Sequence, residues 1–228
     1  KSGIKTIADF RRIDTALGGQ GAPLVPIGDQ LLFGDYDYCL NLGGIANVSY
    51  DDNGSRIAYD ICFCNMALNE VASKQGLSYD KNGKIASAGT ADGELLAELN
   101  NLRYFHFFGT KSLGKEDYEE WFKPQLETNL SDADLMATLV EHMGIQIGER
   151  MVKGKCLITG GGAYNETLIE AIGRHSSAEL VIPNYELVDF KEALIFAYLG
   201  AKRLANQINT LASVTGASQD SIGGAVYG

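Results

Sequence analysis

Hydrophobic and polar positions along the chain follow two different periods, and these predict strands first and then helices that alternate with further strands. Apolar, β-rich segments at residues 36–42, 45–50 and 56–60 are separated by glycine-containing turns. This pattern is typical of a three-strand antiparallel meander. Between residues 18 and 26, three glycines and two prolines predict an irregular loop instead.

Helical spacing takes over after the meander. We expect helices over residues 65–75 and 190–204, and a long helix that opens at a capping box formed by Ser131 and Asp134. The apolar stripe of the long helix repeats every four residues, at Leu135, Leu139, Met143, Ile147 and Met151.

Short strands are predicted at 155–159 and 179–182, and a β-like run covers 104–108. Strands that first follow one another and then alternate with helices imply an α/β fold. We therefore expect a mixed sheet with helices on its faces.

Composition narrows the class of partner. The chain has 228 residues and a formal net charge of −10, which argues against nucleic acid or an anionic membrane surface. Phosphate binding remains open, because backbone N–H groups at a glycine turn hold phosphate without a basic side chain. The four scattered cysteines are typical of reduced thiols in a cytosolic protein, and no apolar run approaches the roughly 20 residues that span a bilayer.

Two glycine turns are candidate nucleotide contacts. Gly43 and Gly44 lie between two predicted strands, where their amides either face a phosphate or form a tight hairpin that needs positive φ. The run Gly160, Gly161 and Gly162 follows a strand and precedes a helix. Three glycines exceed what a simple strand–helix turn requires, so we expect a base or ribose to approach this backbone.

Residues 109–116 nearly match a P-loop, but the pattern fails at its end. Glu116 stands where Ser or Thr binds magnesium, and a carboxylate there repels phosphates. Lys111 and Lys115 remain candidate anion contacts.

Asp60 ends a predicted strand, which makes it a candidate general base or, alternatively, a cap for the helix that follows. Asp9, Arg11 and Asp14 form either a solvated charge cluster or an ion-pair hinge, and an arginine suits an anionic substrate group. His142 lies beside the apolar stripe and is interpreted as a packed histidine.

Seven motifs, in this order, resemble the anhydro-N-acetylmuramic acid kinase family. They are A-D-F-R-R-I-D, G-G-Q-G-A-P-L-V-P, N-L-G-G-I-A-N, K-S-L-G-K-E, T-G-G-G-A-Y-N, F-K-E-A-L-I-F-A and V-T-G-A. The resemblance implies an actin-like ATPase (ribonuclease H-like) lobe, ATP with Mg²⁺, and a bacterial cytoplasmic role in peptidoglycan recycling. It also implies conversion of 1,6-anhydro-N-acetylmuramic acid to N-acetylmuramic acid 6-phosphate, with hydrolytic opening of the anhydro ring.

The resemblance also implies roles for individual residues. Asp60 matches the family's general base. The implied nucleotide contacts are Gly43, Gly44, Asn47, Gly160, Gly161 and Gly162. The implied sugar-side residues are Asp9, Arg11, Asn65 and Glu192. We expect the Asp60 carboxylate and both glycine turns to face one cleft.

The base motif, D-I-C-F-C-N from Asp60 to Asn65, departs from the family's D-T-G-P-G-N-like pattern. Cys62, Phe63 and Cys64 replace a glycine, a proline and a second glycine, so we expect a narrowed sugar pocket or a shifted loop. A non-catalytic sugar- or nucleotide-binding relative is therefore the competing hypothesis.

The resemblance also predicts domain organisation. Residues 1–35 are expected to be an inter-lobe segment with a sugar-side loop, 36–205 the second kinase lobe, and 206–228 a tail that returns toward a first lobe. The family's N-terminal lobe has no counterpart here. We expect the 228 residues alone to be inactive, and the apolar surface left by that lobe to favour a homodimer.

Overall fold

The computed structural model describes residues 3–107 and 111–228, which divide into two compact units. The first unit comprises the segment ending at Asp35, together with Ser49–Ala58 and Asp189–Gly228. The second comprises Tyr36–Val48 and Tyr59–Val188. The predicted lobe boundaries follow family architecture and stay a prediction.

The described residues form strands and helices in the following order. The strands are β1 (Thr6–Ala8), β2 (Tyr38–Leu42), β3 (Ile45–Asp52), β4 (Ser55–Phe63), β5 (Lys155–Thr159), β6 (Glu179–Val181) and β7 (Ala225–Tyr227). The α-helices are α1 (Arg12–Ala16), α2 (Pro26–Leu32), α3 (Asn65–Lys74), α4 (Lys84–Ala88), α5 (Gly93–Asn100), α6 (Lys115–Asp117), α7 (Asp132–Gly148), α8 (Glu166–His175), α9 (Tyr185–Leu204) and α10 (Ala212–Thr215). A π-helical turn covers Tyr118–Phe122, and 3₁₀ turns cover Lys81–Gly83, Arg103–His106, Lys123–Leu126 and Gly161–Tyr164.

The main sheet is mixed, as the sequence predicts. Its strand order is β4-β3-β2-β5-β6, with β2 parallel to β5 and β5 parallel to β6. Two-residue connections join β2 to β3 and β3 to β4, which only antiparallel neighbours allow. The far part of the β3–β4 hairpin, 49–58, belongs to the first unit.

The core of the second unit forms around α7. Its predicted stripe is buried, and Ser131 caps the helix by accepting a hydrogen bond from the Asp134 amide. Helix α8 packs closely on α7. A Cβ on Gly144 would come within 2.8 Å of the Ala171 side chain, so only glycine allows this approach. His142 is fully buried, which confirms its interpretation as a packed residue.

The first unit has its own small core. It contains Leu24, Ile27, Ile195 and Leu199. Gly28 lies against Ile195, so α2 and α9 approach at a point where a larger residue would clash. Strands β1 and β7 form a separate two-stranded antiparallel sheet.

Local predictions fail where tertiary context overrides propensity. The loop that begins at Gly18 ends at Pro26, which occupies the first turn of α2 because its fixed φ suits a helix start. The β-like run at 104–108 is a 3₁₀ turn at Arg103–His106, and its last residue lies outside the described residues. The predicted tail, residues 206–228, contains α10 and β7. Among the described residues, no helix has the length and apolar character needed to cross a membrane.

Candidate active site

Asp60 lies near the end of β4, and the described residues hold one oxygen of its carboxylate. Oδ2 accepts a hydrogen bond of 2.9 Å from the Leu113 backbone amide. No described residue donates to Oδ1. Burial raises the pKa of Asp60, and the Leu113 hydrogen bond opposes that rise because it stabilises the charged form. A half-buried carboxylate with an oxygen that no described residue occupies suits proton acceptance.

The segment around Lys111 covers Asp60. The Asp60 amide donates to the Lys111 carbonyl at 3.0 Å, and Tyr104 Oη donates to the Asp60 carbonyl at 2.6 Å. Lys111 Nζ donates to the Tyr104 carbonyl at 2.9 Å. Burial and the nearby Arg150 lower the pKa of Lys111 to about 8. The Lys111 ammonium is therefore engaged by Tyr104 within the protein.

A cavity of about 440 Å³ opens in the second unit beside the three-glycine run. Gly161 and Asn65 both line it, together with Leu68, Asn69, Tyr79, Asp80, Lys81, Asn82, Tyr164 and Asn165. A volume of this size lies within the range of small-ligand pockets. Two of the sequence-predicted site residues thus meet at one cavity.

The three positions of the glycine run, 160–162, hold glycine for different structural reasons. Gly160 has a φ of +85°, and a Cβ there would come within 2.7 Å of Asn41 Oδ1. A Cβ on Gly162 would lie 2.6 Å from Leu42 Cβ. At Gly161 the nearest atom to a Cβ is 3.8 Å away, on Asn65. Packing therefore accounts for the first and third glycines, whereas the middle one is left to an approaching ligand.

The turn at Gly43 and Gly44 sits against the start of α3. Gly43 and Gly44 carbonyls accept from the amides of Asn65, Cys64 and Met66. Neither glycine has a positive φ, so a need for positive φ does not explain the glycines of this two-residue hairpin turn. Gly44 is exposed, with no atom within 3.8 Å of a Cβ. Phosphate contact by these amides stays a prediction.

Asp60, Gly43 and Gly44 do not line the cavity that contains Gly161. Asp60 pairs instead with backbone groups of Lys111 and Leu113. Asn47 is half-buried in β3. Asn65 Nδ2 donates to the Leu42 carbonyl at 2.9 Å, which ties the end of β2 to the first residue of α3.

The expected sugar-side residues belong to different units. Asp9, Arg11 and Glu192 belong to the first unit, and Asn65 belongs to the second. Asp9 has a φ of +59° and pairs with Arg12 at 3.3 Å. Arg11 Nη1 donates to the Gly21 carbonyl at 2.6 Å. Glu192 is exposed.

Cys62, Phe63 and Cys64, which replace the glycines and the proline of the family's motif, point into the core. Phe63 is fully buried, and its ring centre lies 4.9–5.4 Å from those of Tyr118, Trp121 and Phe122. Cys62 and Cys64 are also fully buried. Burial raises the pKa of both thiols, that of Cys64 to about 12, so both stay protonated at neutral pH. These side chains fill the core beneath Asp60, and none lines the cavity beside Gly161.

A comparison with protein families matches the model described as anhydro-N-acetylmuramic acid kinase over residues 1–228. The chain belongs to the anhydro-N-acetylmuramic acid kinase family.

Curated relatives agree with this assignment. The anhydro-N-acetylmuramic acid kinase of Saccharophagus degradans is 39% identical over 243 residues, which cover 99% of this chain and 65% of the relative. Those of Shewanella pealeana and Aliivibrio fischeri are each 36% identical and match the whole chain, over 66% of their own length. The chain thus spans about two thirds of the relatives it matches.

Solved structures show weaker similarity. An activator of 2-hydroxyisocaproyl-CoA dehydratase from Clostridium difficile, with bound ADPNP, is 16% identical with a TM-score of 0.48. The match covers 78% of this chain and 66% of that one. Component A of the Acidaminococcus fermentans (R)-2-hydroxyglutaryl-CoA dehydratase is 16% identical over 75% and 63%, with a TM-score of 0.44.

Within this kinase-family chain, sequence reasoning missed the contacts that hold Asp60. Tyr104 and Leu113 act on it from 44 and 53 residues away, and Leu113 does so through its backbone. No side-chain motif marks a backbone donor.

Proposed function

We propose that this chain supplies the general base and nucleotide-side surface of an ATP-dependent sugar kinase. The reaction converts 1,6-anhydro-N-acetylmuramic acid to N-acetylmuramic acid 6-phosphate and opens the anhydro ring by hydrolysis. The supporting observation is Asp60, whose Oδ2 accepts a hydrogen bond from Leu113 while no described residue donates to Oδ1. Burial raises its pKa toward the range in which a carboxylate serves as a base.

The chemistry assigns Asp60 one task, which is to accept a proton from water. The water oxygen forms a bond to the anomeric carbon, and the bond from that carbon to O6 breaks. O6 forms a bond to the γ-phosphorus of ATP, and ADP leaves. A base fixed on one oxygen has less orientational freedom to lose in the transition state.

The cavity beside Gly161 is the proposed nucleotide side. It offers an open backbone position and the exposed ring of Tyr79, and it also contains Asn65, which the family resemblance assigns to the sugar side. Amides near Gly43 and Gly44 are proposed to contact the phosphates. Asp9, Arg11 and Glu192 are proposed to contact the sugar.

Magnesium accompanies ATP in this proposal. The described residues hold no group of three His, Cys, Asp or Glu side chains that would cage a metal. Mg²⁺ commonly binds through substrate phosphates and water with few protein ligands. When bound, the ion offsets phosphate charge.

The proposal extends to cellular role and assembly. We assign the reaction to peptidoglycan recycling in a bacterial cytoplasm, with the amino sugar and ATP as small-molecule partners and a homodimer as the assembled form. These 228 residues alone are proposed to be inactive, because phosphoryl transfer needs closure around the nucleotide and exclusion of water.

A chimera tests the function. The N-terminal third of the Saccharophagus degradans relative, proposed to hold the first lobe, is fused ahead of Lys1. Incubation with ATP, Mg²⁺ and the anhydro sugar should yield N-acetylmuramic acid 6-phosphate and ADP. The unfused 228 residues should yield neither, and turnover by them would contradict their proposed inactivity.

A non-catalytic binding relative is the second candidate, motivated by Cys62, Phe63 and Cys64 in the base motif. Calorimetry with ATP and the anhydro sugar separates it from the kinase. Binding of both ligands by the chimera without phosphorylated product would favour the binding protein.

A further inference from the structure

A ring of hydrogen bonds joins Asp60, Lys111 and Tyr104. The Asp60 amide donates to the Lys111 carbonyl at 3.0 Å, and Lys111 Nζ donates to the Tyr104 carbonyl at 2.9 Å. Tyr104 Oη then donates to the Asp60 carbonyl at 2.6 Å. Each residue donates once and accepts once, so the three positions are fixed relative to one another.

Packing supports the ring. The Lys111 ammonium lies 4.0 Å from the centre of the Tyr104 ring, a favourable cation–π distance. The Tyr104 ring also stacks on Trp121 at 5.9 Å, with an interplanar angle of 25°. Tyr104 thus keeps its hydroxyl directed at β4.

The ring also positions the Leu113 backbone amide, which contacts the Asp60 carboxylate. Leu113 follows Lys111 by two residues, so the Lys111 backbone position sets where the Leu113 amide points. That amide donates to Asp60 Oδ2 at 2.9 Å, and Leu113 is itself buried. Without the ring, the segment would lose the pairing that holds this amide in place.

We propose that Tyr104 and Lys111 are positioning residues for Asp60: their ring holds the Leu113 amide on Oδ2 and leaves Oδ1 as the proton acceptor. The inference rests on the proposed function for the role of Asp60 as base. Its effect on the carboxylate is nevertheless measurable in the 228-residue chain without any reaction.

Tyr104→Phe opens the ring without changing charge. It removes the hydroxyl and keeps the aromatic ring under Lys111. The titratable groups that face the ring from neighbouring elements, Cys62, Arg150 and Asp117, remain in place. A change at Asp60 would therefore report on geometry.

Carbon-detected NMR titration of the Asp60 carboxyl and amide exchange at Leu113 are the readouts. In Tyr104→Phe we expect the Asp60 midpoint to move upward, because the charged form loses a donor. We expect the Leu113 amide to exchange about tenfold faster, as loss of one hydrogen bond implies. In the chimera, kcat should fall about tenfold with KM unchanged.

Tyr118→Phe is the matched control. It also removes a buried tyrosine hydroxyl, which here donates to Glu70 Oε2 at 2.9 Å. This variant should leave both Asp60 and Leu113 unchanged. If it reproduced the Tyr104→Phe shifts, general loosening would explain them and the proposal would fail.

Lys111→Met opens the ring at a different bond, with Lys115→Met as its exposed control in the same segment. Faster Leu113 exchange in Lys111→Met but not in Lys115→Met supports the ring. If Tyr104→Phe does not fold, the Lys111→Met variant provides the test. Unchanged Leu113 exchange and an unchanged Asp60 midpoint in a folded ring variant would overturn the inference. Altered NMR readouts with an inactive chimera would retain the positioning effect and remove the proposed function.

Discussion

Lys191 Nζ lies 2.9 Å from Asp29 Oδ1, and both side chains are buried. Ser49 Oγ donates to the other carboxylate oxygen of Asp29 at 2.6 Å. Lys191 immediately precedes Glu192 on α9, so the same helix carries a buried structural cation and an exposed carboxylate.

Lys191→Met should destabilise the chain by about 3–5 kcal/mol, because it leaves the Asp29 charge buried without its cation. Urea unfolding measures the loss. Glu192→Gln should change stability by less than about 0.5 kcal/mol, because Glu192 is exposed. Equal effects of the two substitutions would contradict this division between the neighbours.

Gly161→Ala should separate nucleotide binding from folding. No atom lies within 3.8 Å of a Cβ at this position, so the free energy of unfolding should change by less than about 1 kcal/mol. ATP affinity measured by calorimetry on the chimera should fall about tenfold, because the methyl group enters the cavity.

Gly162→Ala is the contrasting variant. Its Cβ would lie 2.6 Å from Leu42 Cβ, so it should cost about 1–3 kcal/mol of stability. If Gly161→Ala bound ATP normally, the nucleotide side would have to be sought elsewhere.

His142 predicts a pH dependence of stability. Burial lowers its pKa from 6.5 to about 3, so between these values the unfolded state binds a proton that the folded state does not. The stabilising contribution is complete above pH 6.5 and is lost as pH falls toward 3. Its slope approaches about 1.4 kcal/mol per pH unit.

Unfolding free energies of His142→Phe and the native chain at several pH values between 4 and 6.5 test this. The variant loses the hydrogen bond to Asn100 Oδ1, so it should be less stable at pH 6.5 but should lose stability more slowly on acidification. Parallel slopes for His142→Phe and the native chain would exclude this histidine as the source.

Sequence pattern predicted the fold where signals were local. The alternation of 36–42, 45–50 and 56–60 gave neighbouring strands, and the four-residue repeat of α7 gave a buried stripe. Strand β5 and the Ser131 cap were also predicted, because both depend on residues close in the chain.

The remainder depends on contacts between distant residues. The 104–107 segment has β-forming residues but is a 3₁₀ turn, with Tyr104 bonded to β4 and Phe105 packed edge-on against His142. Strands β1 and β7 pair from opposite ends of the chain, which periodicity does not reveal. At the candidate site, the glycine run was recognisable as a motif, but only the packing around Leu42 and Asn65 singles out Gly161.

The role of Asp60 as general base is tested most directly by its carboxamide variant. In the chimera, Asp60→Asn keeps an oxygen for the Leu113 amide but removes the proton acceptor. A general base typically contributes 10²–10⁴-fold, so kcat for N-acetylmuramic acid 6-phosphate formation should fall by about that factor. Asp52→Asn, at the exposed end of β3, should retain the activity of the parent chimera. Turnover by Asp60→Asn within about twofold of the parent would contradict the account.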